Sequence, residues 1–335
     1  MRYLILGSGP AGIAAAKGIR KRDTDAKVII ATEGTDAPYL RPLLTNLISG
    51  ETDVKNIADP QGEGLADLNI DVQYGKRATG INTARRKVIF EGGNHEPYDR
   101  LLIATGGKPT MPPPLMRHPD SVFPLNTLAD ALRIKEHAQR SKKTIVYGPG
   151  FLAIEACRAM RATGQEVVWF KPNLPKHGYP IALGEFESRF LDDVRNKGIA
   201  IKEGADIEDI EAGEENRVAV HSTEGETVHC DMIVAATERT PSVDFLEGSG
   251  VDFGTGIFVD EYLQTGAPDV YAAGDCAELI DVESGEKRIN FGWRSAIKHG
   301  QLAGENMAGR YKRYIGKKVD YFWLIFGPSL QDRLK

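Results

Sequence analysis

The sequence predicts an α/β protein with two Rossmann-like dinucleotide-binding domains, the second inserted into the first. Two glycine-rich turns lead to this prediction. The form G-x-G-x-x-G occupies residues 7–12, and the form G-x-G-x-x-A returns at residues 148–153. Each turn follows a short apolar strand, at residues 3–6 and 143–147, and opens a helix. One copy alone is a weak signal, whereas duplication at a distance of about 140 residues is specific.

Length, charge and composition limit the classes of function. The chain has 335 residues, 41% hydrophobic and 27% charged, which suits about two globular domains. A net charge of −5 with both signs spread along the chain gives no basic region for nucleic acid or an anionic membrane. Neither a secretion signal nor an apolar run long enough for a membrane span is found. The three cysteines lie far apart, which favours a reducing compartment and predicts a cytoplasmic protein.

In the first turn each glycine has a separate role. Gly7 permits the tight turn, Gly9 lets a diphosphate approach the backbone, and Gly12 lets helix and strand touch. A second strand at residues 27–31 precedes Glu33, whose carboxylate can accept the ribose hydroxyls of an adenosine. The alternative is a turn that only packs a helix on a sheet. The candidate residues of this first nucleotide site are Gly7, Gly9, Pro10, Ala11, Gly12 and Glu33.

The segment after Glu33 carries a resemblance to a known family. Residues 34–51 read GTDAPYLRPLLTNLISGE and predict a short helix around residues 43–48. An acidic strand end followed by an aromatic-Arg-Pro-Leu-Leu run resembles the FAD-binding half of the pyridine nucleotide-disulfide oxidoreductase superfamily. The most similar branch contains rubredoxin reductases, ferredoxin reductases and nitrite reductase flavoproteins. The resemblance implies that the first domain binds FAD, with Arg41 and Pro42 at the cofactor.

The redox cysteines of that superfamily are missing from this segment. Disulfide reductases carry a cysteine pair here, and the NADH oxidase and peroxidase branch carries a single cysteine. This sequence instead places Thr45 and Asn46 near the expected flavin ring, so dithiol chemistry is not expected. A helix that only covers the cofactor is an equal alternative to a chemical role for either residue.

Two later segments also resemble FAD contacts of the family. A buried strand at residues 101–104 is closed by an A-T-G turn, and residues 256–278 match the family pattern nearly throughout. The resemblance implies that Asp275 accepts a hydrogen bond from the FAD ribityl chain. The candidate FAD residues of these segments are Ala104, Thr105, Gly106, Gly274 and Asp275.

A helix predicted for residues 293–309 follows the last of these segments. In relatives its start faces the pyrimidine edge of the flavin, where the helix dipole stabilises negative charge on the reduced ring. Lys298 and His299 stand in the region where the family usually has glutamine. His299 is therefore a candidate for tuning the flavin, and solvated side chains are the alternative for both residues.

By the same resemblance the second glycine-rich turn receives NADH or NADPH. Glu155 matches the glutamate that faces the nicotinamide carboxamide, and its alternative is a first-turn helix acid favoured by the macrodipole. Lys171 stands where NADH-preferring members place an acid, and its ammonium would attract the 2′-phosphate of NADPH. A solvated lysine at a strand end is the alternative, and Trp169 and Phe170 are predicted core residues. The candidate residues are Gly148, Gly150, Phe151, Leu152, Ala153, Glu155 and Lys171.

Prolines within residues 109–114 predict a stiff, extended linker at a domain boundary. We expect an FAD-binding domain of residues 1–113 and 235–310 and an NAD(P)-binding domain of residues 114–234. The aromatic tail at residues 311–335 is expected to begin the family's C-terminal interface domain, most of which this chain lacks. Such a tail covers the core or docks a partner subunit.

The predicted function is an FAD-dependent oxidoreductase that passes electrons from NADH or NADPH through flavin to a small redox protein or another acceptor. Because flavin carries the chemistry, neither a side-chain nucleophile nor a metal is expected. Lys171 and Thr237, the latter in a glycine position of the family, motivate an alternative: a flavin-bound subunit or redox-sensing interaction protein with little NAD(P)H turnover. A sulfide or disulfide oxidoreductase using Cys157 or Cys276 has weaker support, because neither has a partner cysteine at suitable spacing. A partner subunit and a homo-oligomer both stay open.

Overall fold

The computed structural model describes residues 1–173, 185–213, 217–280, 285 and 287–315. The α-helices in this part of the chain are α1 (Pro10–Arg20), α2 (Leu44–Ser49), α3 (Pro113–Met116), α4 (Leu128–Ala138), α5 (Phe151–Ala162), α6 (Glu185–Asn196) and α7 (Trp293–Met307). Among these helices, none has the length and apolar character that a membrane span requires.

The strands alternate with these helices along the chain. They are β1 (Arg2–Leu6), β2 (Lys27–Ala31), β3 (Ile70–Gln73), β4 (Ala78–Asn82), β5 (Lys87–Phe90), β6 (His95–Pro97), β7 (Arg100–Ile103), β8 (Gly107–Pro109), β9 (Val122–Pro124), β10 (Lys143–Tyr147), β11 (Glu166–Lys171), β12 (Ala200–Glu203), β13 (Ile207–Ala212), β14 (Val218–Ser222), β15 (Thr227–Cys230), β16 (Met232–Ala235), β17 (Arg239–Pro241), β18 (Ile257–Val259), β19 (Val270–Ala272), β20 (Ala277–Ile280) and β21 (Lys287–Ile289).

The chain forms two compact units. The first comprises Met1–Tyr39, Ala58–Gly107 and the chain from Pro241 onward, and the second comprises Leu40–Ile57 and Lys108–Thr240. Leu40–Ile57 belongs to the second unit because α2 packs against α4 and α5, although the sequence places this segment within the first predicted domain.

A parallel five-stranded sheet in the order β19-β7-β1-β2-β3 forms the centre of the first unit. Its inner strands are buried along nearly their whole length, as expected for a parallel sheet covered on both faces. α1 and α7 pack so closely that their backbones are in contact: Cβ atoms built on Gly300 and Gly304 of α7 would lie 2.0 and 2.2 Å from carbonyl oxygens of α1. Smaller sheets, β4-β5-β6 and β18-β20-β21, complete this unit.

The second unit repeats this architecture with a parallel sheet in the order β12-β11-β10-β16-β9. α5 packs against β10 and β11, and an antiparallel sheet of β13, β14 and β15 adds a second layer. Trp169 and Phe170 are buried in β11, so their predicted place in the core is confirmed. The two parallel sheets each contain a buried strand that leads into a glycine-rich turn. They confirm the predicted α/β fold with two Rossmann-like units.

The proline-rich stretch is not extended throughout, and the prediction of a stiff linker is wrong for its second half. Pro109 ends β8, which pairs with β17, whereas Pro113 begins the short helix α3. Proline is well tolerated in a first helical turn, because the amide hydrogen that it lacks has no partner there.

Candidate functional site

The first glycine-rich turn is closed on one side and open on the other. Gly7 has φ +110°, and a Cβ there would lie 2.3 Å from the carbonyl oxygen of Ala104. A Cβ on Gly12 would lie 1.9 Å from the carbonyl oxygen of Gly7. In contrast, no atom lies within 4 Å of a Cβ built on Gly9, the N-cap of α1, and Pro10 starts the helix without a side-chain cap. The N-terminus of α1 therefore faces space that a diphosphate can fill.

The predicted FAD segment around Gly274 and Asp275 packs onto the same turn. A Cβ on Gly274 would lie 3.0 Å from Cβ of Ala11. The backbone amide of Gly292, at the N-cap of α7, donates to Oδ1 of Asp275 at 3.1 Å. Three of the segments predicted to bind FAD, at the Gly7 turn, at Ala104 and at Gly274, thus meet at the carboxyl ends of β1, β7 and β19.

Polar side chains fix the loops around this turn. Glu33 is exposed just beyond β2, and the preceding Thr32 accepts a hydrogen bond from the Ser8 hydroxyl at 3.2 Å. The Thr105 hydroxyl donates to the backbone oxygen of Ser242 at 2.9 Å, which ties the A-T-G turn to the chain that returns from the second unit. Sequence reasoning did not identify Ser8, which occupies the x position between the first two glycines of the G-x-G-x-x-G motif.

His299 is buried in the middle of α7. Neither ring nitrogen has a hydrogen-bond partner among the described residues, and the Tyr314 ring packs edge-on at 4.6 Å. Burial, with a smaller contribution from Lys298, lowers the pKa of His299 to about 4. The predicted alternative of a solvated side chain is therefore wrong for His299, whereas Lys298 is exposed. The histidine is neutral at pH 7 and supplies no charge to its surroundings.

Arg41 takes part in an arrangement that sequence reasoning missed. In the second unit, Nη1 of Arg41 and Nη1 of Arg239 both donate to Oδ1 of Asn126, at 3.1 and 2.7 Å. The neighbouring Thr237 is buried, and its hydroxyl has no partner among the described residues. Burial raises the pKa of the Glu238 carboxyl. Two guanidinium groups at one amide oxygen make this a cationic position.

The residues expected near the flavin ring lie on the short helix α2 and just before it. Pro42 is in a 3₁₀ turn that leads into α2, and Thr45 is buried. The Asn46 amide nitrogen donates to Oε2 of Glu51 at 2.5 Å. These residues belong to the second unit, where α2 packs against α4 and α5.

The second glycine-rich turn has the same closed and open sides as the first. A Cβ on Gly148 would lie 2.0 Å from the carbonyl oxygen of Ala236, whereas no atom lies within 4 Å of a Cβ built on Gly150. Gly150 is the N-cap of α5, and no side chain caps this helix either. Ala153 is fully buried behind the turn. The geometry offers a second helix N-terminus to a diphosphate.

Glu155 lies on α5 beyond the open end. The helix starts with Phe151 and Leu152, and Leu152 is exposed. Glu155 is the fifth residue of the helix, so the first turn contains no acid. The alternative of a first-turn acid is therefore wrong. Its Oε1 accepts a hydrogen bond from Nη1 of Arg158 at 3.0 Å, in a half-buried ion pair.

Lys171 ends β11 and is partly exposed. In the parallel pairing of β11 with β12, it lies in register with Glu203, whose carboxylate pairs with Arg195 at 2.5 Å. At the end of β11, Lys171 is thus in register with a residue of β12 that already forms an ion pair with α6.

The cysteines have no access to solvent. Cys157, Cys230 and Cys276 are free and buried, and burial raises the pKa of each thiol, that of Cys230 to about 12. A nucleophilic thiolate at neutral pH is therefore unfavourable at all three positions. The described part of the chain also contains no cluster of side chains suited to a metal ion.

Comparison with known proteins gives consistent matches over most of the chain. The family model for pyridine nucleotide-disulphide oxidoreductases matches residues 1–302. The NADH oxidase of Methanocaldococcus jannaschii is 29% identical, with 92% of this chain and 70% of that protein covered. The NADH-rubredoxin oxidoreductase of Clostridium acetobutylicum is 28% identical, with 93% and 76% covered. The crystal structure of the ferredoxin reductase for the CYP199A2 system from Rhodopseudomonas palustris has a TM-score of 0.86 at 27% identity, with 94% and 78% covered.

Proposed function

Because this chain belongs to the pyridine nucleotide-disulphide oxidoreductase family and is therefore an oxidoreductase, we propose that it passes electrons from NAD(P)H through FAD to a small redox protein or another acceptor. One observation carries this proposal: the closed first glycine and the open second glycine recur in both units. Each unit thus presents one helix N-terminus to one dinucleotide.

In this proposal the first unit holds FAD. The backbone of the turn from Gly7 to Gly12 and the N-terminus of α1 bind the diphosphate, and the exposed carboxylate of Glu33 accepts the ribose hydroxyls. Asp275 lies at the N-cap of α7, where its carboxylate is oriented by the Gly292 amide toward the ribityl chain. FAD, when bound, supplies the ability to accept a hydride and release single electrons.

The second unit receives NADH or NADPH. The turn at Gly148 and Gly150 and the N-terminus of α5 bind the diphosphate. Arg158 orients Glu155 through their ion pair, so that this carboxylate is available to the nicotinamide carboxamide. At the end of β11, the Lys171 ammonium favours the 2′-phosphate of NADPH, while Glu203 in the adjacent register position moderates this preference.

The electrons leave to an acceptor outside the chain. The buried thiols with raised pKa values do not form an internal dithiol relay. Relatives in this family are named for rubredoxin and ferredoxin reduction, which supports a small electron-transfer protein as acceptor. The free thiols fit a reducing compartment, and we place the protein in the cytoplasm.

Anaerobic mixing of the FAD-loaded protein with NADH and with NADPH tests the proposal. We expect stoichiometric FAD binding. In a stopped-flow experiment, one or both nucleotides should bleach the flavin absorbance within seconds of mixing. A protein that binds no FAD would refute the proposal at its first step. FAD binding without bleaching by either nucleotide would favour the alternative of a flavin-bound subunit with little NAD(P)H turnover.

A further inference from the structure

The second glycine-rich turn is held by a side chain that the proposed function has not used. Trp169 is fully buried in β11, and its indole Nε1 donates to the carbonyl oxygen of Gly148 at 2.8 Å. The amide of Gly148 donates to the backbone oxygen of the next residue, Phe170, at 3.1 Å. Consecutive residues of β11 thus bind both backbone polar groups of the first glycine in this turn.

The first turn shows what happens without such a donor. The amide of Gly7 donates to the oxygen of Ala31 at 2.8 Å, as that of Gly148 does to Phe170. The residue that matches Trp169 is therefore Ile30, whose side chain has no hydrogen-bond donor. There the Gly7 carbonyl lies over the following helix, so close that a Cβ at Gly12 would be 1.9 Å away.

The second turn accommodates a methyl group where the first does not. Ala153 occupies the position that matches Gly12, and its Cβ is 3.4 Å from a Cβ built on Gly148. The φ angle of the first glycine also differs, +154° at Gly148 against +110° at Gly7. The indole hydrogen bond explains both differences, because it directs the Gly148 carbonyl to Trp169 and makes room for the methyl group of Ala153.

We propose that Trp169 is a positioning residue of the second nucleotide site: its indole N–H fixes the Gly148–Gly150 backbone that faces the NAD(P)H diphosphate. This inference rests on the proposed function of the second unit. Without the indole N–H, the buried carbonyl of Gly148 has no donor, and Ala153 prevents it from adopting the orientation of Gly7. The turn would then sample several conformations and bind the diphosphate less tightly.

The test is a mutant cycle of Trp169→Phe and Ala153→Gly, with NADPH and NADH affinities measured anaerobically by titration calorimetry on FAD-loaded protein whose flavin has first been reduced with dithionite. W169F keeps an aromatic ring but loses the donor, and we expect about 10-fold weaker binding. FAD content and the flavin reduction rate at saturating nucleotide are expected to stay within about twofold of wild type. A153G is measured to complete the cycle, and A153G/W169F is expected to bind more tightly than W169F and to recover most of its lost affinity, because glycine admits the carbonyl orientation of the first turn.

Thr144→Val is the matched control. It also removes a buried hydrogen bond in the second unit, from the Thr144 hydroxyl to the Gln165 side chain, but at the opposite end of β10 from the turn. We expect it to lower the melting temperature without changing nucleotide affinity. Equal affinity of W169F and wild type, or equal losses in W169F and the double variant, would overturn the inference. Wild-type protein that binds neither nucleotide would instead refute the proposed function, and the role of Trp169 with it.

The unmodified protein offers a second measurement if W169F does not fold. With ¹⁵N-labelled tryptophan, a protected indole N–H with slow hydrogen exchange is expected, and its signal should shift when NADPH or NADH binds. Rapid exchange of every tryptophan indole proton would contradict the hydrogen bond on which the inference depends.

Discussion

The open space at the second glycine of each turn predicts that Gly9→Ala separates cofactor binding from folding. Gly9 has φ −73° and ψ −179°, which alanine adopts without strain, and no atom lies within 4 Å of the added methyl group. Alanine is a weaker N-cap residue than glycine, which destabilises the folded protein by up to about 1 kcal/mol. It also lowers the conformational entropy of the unfolded chain, which stabilises the folded protein by a similar amount. The free energy of unfolding of the FAD-free protein should therefore change by less than about 1 kcal/mol.

In the FAD-loaded protein the same methyl group would occupy the place of the diphosphate. We expect FAD to bind at least about 100-fold more weakly, which corresponds to roughly 2.7 kcal/mol. Gly150→Ala is the matched variant of the second unit and should retain FAD while losing nucleotide affinity. Gly12→Ala is the opposite control, because its Cβ would lie 1.9 Å from the Gly7 carbonyl oxygen and should prevent folding of the turn.

Urea unfolding of the FAD-free proteins and titration with FAD, followed by flavin fluorescence, provide the two readouts. Normal FAD affinity in G9A would refute the assignment of the first turn to the diphosphate. An unfolding free energy lowered by more than about 2 kcal/mol would refute the claim that the space is open.

Three further predictions concern charge and protonation. Lys171→Glu should lower the ratio of kcat/KM for NADPH to that for NADH by at least about 10-fold, because a carboxylate repels the 2′-phosphate; an unchanged ratio would contradict the role of Lys171. Because the pKa of buried His299 is about 4 in the folded protein and about 6.5 in the unfolded chain, stability should fall by about 2 kcal/mol between pH 8 and pH 5. His299→Gln should remove this part of the pH dependence in urea unfolding, and equal slopes for both proteins would contradict it. Replacement of Cys157 and Cys276 by serine should leave the rate of flavin bleaching by NAD(P)H within about twofold of wild type, whereas loss of bleaching would restore the thiol hypothesis.

Much of the fold is encoded locally and could be predicted from the sequence. β2 and β10 have the predicted bounds, because short apolar runs define the strands of a parallel sheet without reference to distant residues. Gly7, Gly148 and Ala153 likewise occupy the predicted positions in their turns, since the backbone path of a strand-turn-helix unit restricts which side chains fit.

The features that sequence reasoning missed depend on contacts between distant parts of the chain. Asn126 binds Arg41 and Arg239 across 85 and 113 residues, and no local pattern marks those partners. The indole of Trp169 was expected only to fill the core, because burial can be inferred from a strand pattern whereas the partner of one N–H cannot. The stiff linker predicted for the proline-rich stretch is wrong in its second half, because proline favours both an extended chain and a first helical turn.

The glycine contacts between α1 and α7 have a consequence for synthesis of the chain. Gly300 and Gly304 let the last described helix touch the backbone of the first, which is nearly three hundred residues earlier. The second unit has all its residues once Thr240 has left the ribosome, whereas the first unit lacks this helix until Met307 has been added. Until then, α1 is exposed along the surface that α7 will cover, so this half of the protein has the greater need for a chaperone during translation.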